Sequence, residues 1–109
     1  MKYLKLLVFL TALGALACGE SAKGGISVKD VAATGALFQQ NCSACHGPKG
    51  EGVVGPNFKT GVPMTRSIEQ ITAQITEGSG VMPAFKDKFS PEQINEMAKY
   101  VYKEIQGRQ

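Results

Sequence analysis

The sequence contains few of the side chains from which metal and catalytic sites are usually built. Of its 109 residues one is histidine, three are cysteine and none is tryptophan, and aromatic residues make up 7%. A single histidine excludes a site with two histidine ligands from one chain. The 12 basic and 9 acidic residues form no basic stripe with clustered aromatic residues, so nucleic-acid binding is not expected.

The sequence also lacks an apolar run long enough to span a bilayer comfortably. A basic head, Met1–Lys5, precedes the apolar run Leu6–Ala17, which has the length and flanks of a signal-peptide core. Ala15-Leu16-Ala17 fits the small-x-small pattern found before a cleavage site. We therefore predict a signal peptide over residues 1–17 and an exported, periplasmic protein. Removing it leaves ten of the 12 basic residues beside the 9 acidic ones.

Cys18 would then be the first residue of the mature chain, where bacterial lipoproteins carry a lipid-modified cysteine. The similarity is partial, because Ala15 stands where such signals prefer leucine, and an incidental thiol is the alternative. An odd cysteine is a liability in an exported protein, so we favour a membrane anchor at Cys18. Residues 18–27 then form a flexible polar tether, and residues 28–109 form the single folded domain.

Two cysteines three residues apart, Cys42 and Cys45, are followed directly by His46. This C-x-x-C-H pattern is the signature of covalent haem attachment. Residues three apart share one face of a helix, so both thiols can add to the two vinyl groups of one haem. The imidazole of His46 then becomes an axial ligand of the iron. The sequence predicts one covalently bound haem c.

Other interpretations of this motif have less support. A structural zinc site needs four ligands, and Cys18 is the only cysteine outside the motif beside the single histidine. A redox-active Cys42–Cys45 disulfide is typical of a βαβ neighbourhood, and the chain has no convincing strands. A chance match is the remaining alternative.

Three helices are predicted, and the first leads into the cysteine motif. Ser27-Val28-Lys29-Asp30 has the form of a capping box, so this helix is expected to begin at Val28. Gly35 inside it costs about 1 kcal/mol of helix stability relative to alanine. The close approach of another helix would explain why a glycine stands there; the alternative is that the helix is simply weak. The apolar positions recur at helical spacing: Val28, Val31, Gly35 and Phe38.

The second and third helices have clearer starts. Ser67 opens a capping-box pattern, and that helix is expected to end at Gly78. Ser90 is a typical N-cap and Pro91 a typical first helical residue, so the third helix is expected to begin there and to end at Gly107. Gln93 completes the capping box of the third helix, and Phe89 is expected to pack against Ile94 as a hydrophobic staple. The predicted buried faces are Ile68, Ile71 and Ile75 in the second helix, and Ile94, Met97, Tyr100 or Val101, and Ile105 in the third.

The loops between helices offer the remaining candidate ligands. Met82 precedes a proline, which disfavours helix and places it in an extended loop. A methionine opposite histidine raises the haem reduction potential. Met64 also lies in a loop and competes with it, whereas Met97 is expected in the core. Met82 is favoured because its longer distance from His46 along the chain leaves enough residues to cover the far face of the haem. A vacant sixth position on the iron remains the alternative.

The residues resemble the class I bacterial cytochromes c, which are small and carry a single haem. That resemblance implies an all-α cytochrome c fold, with three main helices and Gly/Pro-rich loops around the haem. It implies that the Pro56 carbonyl holds His46, that Met82 is the second axial ligand, and that the first and last helices cross. The absence of tryptophan departs from many relatives, which place one near a haem propionate. The matching segments are Gly35-x-x-Phe38, Cys42–Gly47, Gly55-Pro56-Asn57, Met82–Phe85, Met97 and Tyr100.

The resulting hypothesis is a monomeric one-electron carrier without catalytic residues. Redox partners would dock transiently at an exposed haem edge, and Lys86 and Lys88 either border that surface or lie in a solvated loop. One alternative is a haem protein that binds small ligands or peroxide at a vacant or labile sixth site. Another is a fixed haem subunit of a membrane oxidoreductase. Because the domain is small, haem is expected to complete its core, and the haem-free chain is expected to fold poorly.

Overall fold

The computed structural model describes residues 30–109, so the predicted signal peptide, the tether and Cys18 lie outside the described residues. Its elements are α1 (Val31–Asn41), α2 (Ser43–His46), a 3₁₀ turn (Val62–Thr65), α3 (Ile68–Glu77), α4 (Pro91–Tyr100) and a π-helical turn (Val101–Ile105) that prolongs α4. Within these residues there is no strand, only an isolated bridge between Ser79 and Met82. The all-α prediction is confirmed, and the cysteine motif adds a short fourth helix to the predicted three.

The start of α1 was predicted wrongly. Asp30 has extended backbone angles and is itself the N-cap, because its side chain accepts hydrogen bonds from the amides of Ala32 and Ala33. A free carboxylate at this position satisfies amides that would otherwise lack partners. The helix therefore begins at Val31, three residues later than expected. Phe38 is buried as predicted, but Val31 is 55% exposed, and the other buried residue of this face is Thr34.

Gly35 marks the point where α1 crosses α4. A Cβ atom at Gly35 would lie 3.1 Å from the hydroxyl oxygen of Tyr100, and the rings of Phe38 and Tyr100 are 5.8 Å apart between centroids. Phe38 and Met97 are the largest fully buried side chains. The expected crossing of the first and last helices is confirmed, and the close approach of Tyr100 explains the glycine.

The helices α3 and α4 begin as predicted. Ser67 and Ser90 each accept a hydrogen bond from the amide three residues later, and each serine's own backbone amide donates to Oε1 of Gln70 or Gln93. Two such hydrogen bonds satisfy orphan amides at each helix start. The helices pack against each other, and the core between them contains the predicted apolar residues Ile71, Ile75, Ile94, Met97 and Val101 together with Phe85 and Phe89.

The C-terminal residues tie the end of α4 to the loop before α3. Nε2 of Gln106 donates hydrogen bonds to the carbonyl oxygens of Phe58 and Pro63, both at 3.0 Å. Nη1 of Arg108 donates to the carbonyl oxygen of Arg66 at 2.7 Å. These bonds hold residues 58–66 against the helical core. Among residues 30–109 no helix has the length and apolar character needed to cross a membrane.

Candidate haem-binding site

A largely apolar cavity of about 450 Å³ opens between α3, α4 and the loops on either side of them. Its volume lies within the roughly 300–1,000 Å³ typical of cofactor and ligand pockets. Cys42, Cys45, His46 and Met82 all line it, and so does Pro56. Much of the remaining wall consists of core side chains: Phe38, Ile71, Ile75, Phe85, Met97 and Val101.

His46 is held in one orientation at the cavity wall. It is 7% exposed, and its Nδ1 lies 3.2 Å from the carbonyl oxygen of Pro56. Because a carbonyl only accepts, the proton of the neutral ring belongs on Nδ1, which leaves Nε2 as the nitrogen available to a metal. The Phe58 ring stacks on the imidazole with centroids 4.3 Å apart. A Cβ atom at Gly55 would lie 2.6 Å from Cε1 of the imidazole, so glycine is needed there.

The loop after α2 folds back onto the cysteine motif through backbone hydrogen bonds. The Cys45 carbonyl accepts from the amides of Val53 and Gly55 at 3.1 and 2.8 Å, and the His46 carbonyl accepts from the amide of Gly52 at 2.7 Å. These bonds satisfy carbonyls at the end of a very short helix. They also bring the Pro56 carbonyl to the imidazole, so the loop fixes the histidine that the helix provides.

Cys42 and Cys45 are free thiols, the first half-buried and the second exposed. Burial raises the pKa of the Cys42 thiol to about 11, and the positive charge of Lys88 opposes that rise only in part. Thiols of redox-active C-x-x-C motifs have lowered pKa values instead, so a redox role for this pair is disfavoured. Within the described residues no group of three or more His, Cys, Asp or Glu side chains could hold a metal ion.

Met82 lies in a tight turn after α3. Its amide donates to the Ser79 carbonyl at 2.9 Å, and its own carbonyl accepts from the Ser79 amide at 3.1 Å. The side chain is half-buried at the cavity wall, and Nε2 of Gln74 lies 3.6 Å from its sulfur. Met64, the competing candidate, does not line the cavity, and Met97 lines it from the core at 2% exposure.

Gly78 makes the Met82 turn possible, and its replacement is expected to disturb the turn. Gly78 has φ +64° and ψ −176°, a region open essentially only to glycine. A Cβ atom there would overlap the Met82 carbonyl oxygen and lie 2.7 Å from the Pro83 carbonyl carbon. We expect Gly78→Ala to cost about 1–3 kcal/mol for its backbone angles alone. Denaturant unfolding of the haem-loaded protein measures that loss.

Gly80 provides a matched control in the same turn. It also has a positive φ, +56°, but a Cβ atom there would have no neighbour within 4 Å. Gly80→Ala should therefore cost only the backbone strain, roughly 1–2 kcal/mol, and leave Met82 in place. Equal losses for the two variants would contradict a steric role for Gly78.

The residues present fit a covalently attached haem. Two free thiols, one buried imidazole with a free Nε2 and the half-buried thioether of Met82 line an apolar cavity of suitable volume. Three residues that line the cavity were not predicted from the sequence. Gln74 shares the buried face of α3 with Ile71, and a polar residue there was a usable signal. Phe58 and Arg66 lie in an irregular loop, where no periodicity indicates which side chains face inward.

The mouth of the cavity is rimmed by exposed apolar side chains. Val54, Val62 and Val81 line the cavity and yet are strongly exposed, Val81 at 89%. Lys86 and Lys88 are exposed and line none of it, and Lys86 is paired with Glu77 at 2.7 Å on the surface. The charged loop therefore lies beside the cavity, while the surface around its opening is apolar.

Comparison with known proteins places this geometry among haem proteins. Residues 29–101 match the family described as cytochrome C oxidase, cbb3-type, subunit III. Cytochrome c6 of Leptolyngbya boryana is 41% identical over 76 residues, 66% of this chain and 89% of that protein. The cbb3-type cytochrome c oxidase subunit FixP of Bradyrhizobium is 38% identical over 78 residues, 67% of this chain but 27% of that protein. The solved structure of cytochrome c6 from the diatom Phaeodactylum tricornutum has 34% identity and a TM-score of 0.55, covering 66% of this chain and 90% of that one.

Proposed function

Because this chain belongs to the family of small, single-haem class I cytochromes c, we propose that it carries electrons in the periplasm through a haem whose iron is bound by His46 and Met82. The chain is a cytochrome c6-like electron carrier with one covalent haem c, and it is not an enzyme. The compartment and the two axial ligands are the proposed part. The observation that supports the ligands is the convergence of His46, Met82 and both motif cysteines on one apolar cavity.

Each residue of the site has a separate task. A bound haem c supplies reversible one-electron chemistry at its iron. Cys42 and Cys45 would hold the group by thioether bonds. The Pro56 carbonyl orients the His46 ring and raises its basicity, and the Ser79–Met82 turn presents the thioether from the opposite loop. Because His46 and the Met82 turn are held by hydrogen bonds of the fold, both side chains would need to move little between the two redox states of a bound haem.

The apolar rim is the proposed contact for redox partners. Val54, Val62 and Val81 surround the opening at which a haem edge would be accessible. A patch of a few exposed side chains buries little area, and small interfaces are typical of weak, transient redox encounters. We therefore expect a monomer that meets its donor and acceptor by short-lived contacts.

Visible spectroscopy of both redox states tests the ligand proposal. With Met82 bound, the ferric protein is expected to show the absorption band of a methionine–iron bond, and the ferrous protein should bind carbon monoxide slowly or not at all. Ready carbon monoxide binding and an absent methionine band would favour the alternative, a haem protein with a labile or vacant sixth site.

A second candidate function is that of a fixed haem subunit in a membrane oxidoreductase. The match to a family described as an oxidase subunit favours it, and so does the match to FixP. Solubilised membranes distinguish the two roles. Co-purification with a stable larger complex would support the fixed subunit, and release as a single chain would support the mobile carrier.

Membrane attachment through Cys18 is part of the proposal. Because a lipid on that thiol would be the anchor, Cys18→Ser is expected to move the protein from the membrane fraction to the soluble fraction. The haem spectrum should stay the same, since the cysteines that line the cavity are Cys42 and Cys45. Mass spectrometry for the lipid and fractionation of both proteins make the test. Unchanged membrane association of Cys18→Ser would refute the anchor.

A further inference from the structure

The π-helical turn that prolongs α4 brings a polar side chain to the haem cavity. The backbone amide of Gln106 donates to the carbonyl oxygen of Val101 at 2.9 Å, a hydrogen bond between residues five apart that is characteristic of a π-helix. In an α-helix Ile105 would follow Val101 on the same face, because residues four apart lie one above the other. Here Val101 and Gln106 line the cavity and Ile105 does not. The turn therefore gives Gln106 the place on the cavity face that an α-helix would give to Ile105.

The side-chain amide of Gln106 is fully used within the protein. Its Nε2 donates to the carbonyl oxygens of Phe58 and Pro63, both at 3.0 Å, and its Oε1 accepts from Nη1 of Arg108 at 3.3 Å. Two carbonyl oxygens require a nitrogen that carries two N–H groups, so these partners fix the orientation of the amide. Gln106 has no N–H group left for a ligand. What it can do at the cavity is position other residues.

The two carbonyls that Gln106 binds belong to the wall beside the histidine. Phe58 and Pro63 both line the cavity, and the Phe58 ring stacks on the His46 imidazole with centroids 4.3 Å apart. Among residues 30–109, the hydrogen bond from Gln106 to Pro63 is the only one that joins residues 59–65 to α4 or another α-helix, because the other hydrogen bonds of that stretch stay within the loop. The position of this wall therefore depends on Gln106.

We propose that Gln106 is a positioning residue of the haem site, which holds residues 58–66 closed against the cavity and keeps the Phe58 ring stacked on His46. Water that enters a haem cavity favours the ferric state, because that state carries one more positive charge. Loss of the Gln106 hydrogen bonds should therefore lower the reduction potential, although they reach neither His46 nor Met82. The inference rests on haem binding at this cavity. It adds the C-terminal turn of the chain to the parts of the protein that set the potential.

Gln106→Glu tests this role in the haem-loaded protein, because it keeps the length of the side chain and removes both N–H donors. Three changes are expected: a lower reduction potential, amide hydrogen exchange in residues 58–66 that is faster by about tenfold or more, and loss of the nuclear Overhauser effect between the Phe58 and His46 rings in the ferrous protein. Gln106→Met also lacks the donors but adds no charge. It should show the same three changes, and it replaces Gln106→Glu if that variant does not load haem.

Gln109→Glu is the matched control, because it places the same charge at an exposed position three residues away. Its potential, amide exchange and ring contact should equal those of the unaltered protein, and an equal fall in potential would mean that charge alone explains the shift. If the Gln106 variants lost stability in denaturant but kept the potential and the ring contact, Gln106 would only stabilise the fold, and the proposal would be overturned. Each variant is compared with the unaltered protein, so a missing methionine band there refutes Met82 ligation without refuting the role of Gln106.

Discussion

A chain that cannot attach haem is expected to lose its cooperative fold. In Cys42→Ala/Cys45→Ala the cavity of about 450 Å³ would stay without the group that fills it. Cavity formation in protein cores costs roughly 24 cal/mol per Å³, which gives about 11 kcal/mol as an upper figure, because an open cavity can partly collapse or admit water. Whole domains are stable by about 5–15 kcal/mol. The loss is therefore comparable to the entire stability of the domain.

The measurement is thermal unfolding followed by circular dichroism, for the double variant and for the haem-loaded protein. The loaded protein should give one cooperative transition, and the variant should retain some helix signal without such a transition. Helical signal is expected to survive in part because the capping boxes at Ser67 and Ser90 are local. A sharp transition in the haem-free chain at a similar temperature would show that the core is complete without the cofactor.

Replacing Met82 is expected to leave the fold and change the redox chemistry. Met82→Ala removes the thioether at the cavity wall and leaves His46 with its Pro56 hydrogen bond intact. Methionine stabilises ferrous iron, so the reduction potential should fall by a sizeable part of the roughly 0.8 V over which axial ligands set haem potentials. The vacated position should then accept carbon monoxide in the ferrous state.

Met64→Ala is the matched control, because Met64 lies in a neighbouring loop and does not line the cavity. Its potential, its ferric methionine band and its resistance to carbon monoxide should match those of the unaltered protein. If Met82→Ala kept its potential and its six-coordinate spectrum, Met82 would not be the ligand. If Met64→Ala lost them, the choice between the two methionines made from loop length would be wrong.

Much of the fold follows from local sequence signals. The capping boxes at Ser67 and Ser90 give the starts of α3 and α4 because a cap involves only residues a few positions apart. The same kind of local signal was misleading for α1, because Ser27 and Asp30 are both typical N-cap residues and lie three positions apart. Asp30 accepts amide hydrogen bonds itself, so it caps the helix and cannot also be the third residue of a helix begun by Ser27.

Local spacing predicts the part of the candidate site that one short segment carries. Cys42, Cys45 and His46 are adjacent, so their spacing alone indicates covalent haem attachment. Arg66 and Gln74 gave no comparable signal, because they reach the cavity from a loop and from α3 through packing between distant segments. Tyr100 likewise explains Gly35 only once α1 and α4 cross.

The sequence by itself determined the cofactor and its mode of attachment, since thiol and imidazole chemistry requires those residue types at that spacing. Only the tertiary structure decided which side chains surround that group. Met82 lies at the cavity wall and Met64 does not, and Arg66 faces the cavity from a loop tied down by Gln106 and Arg108. Loop position and distance from His46 favoured Met82 without excluding Met64, because contacts across the cavity depend on how distant segments pack against each other.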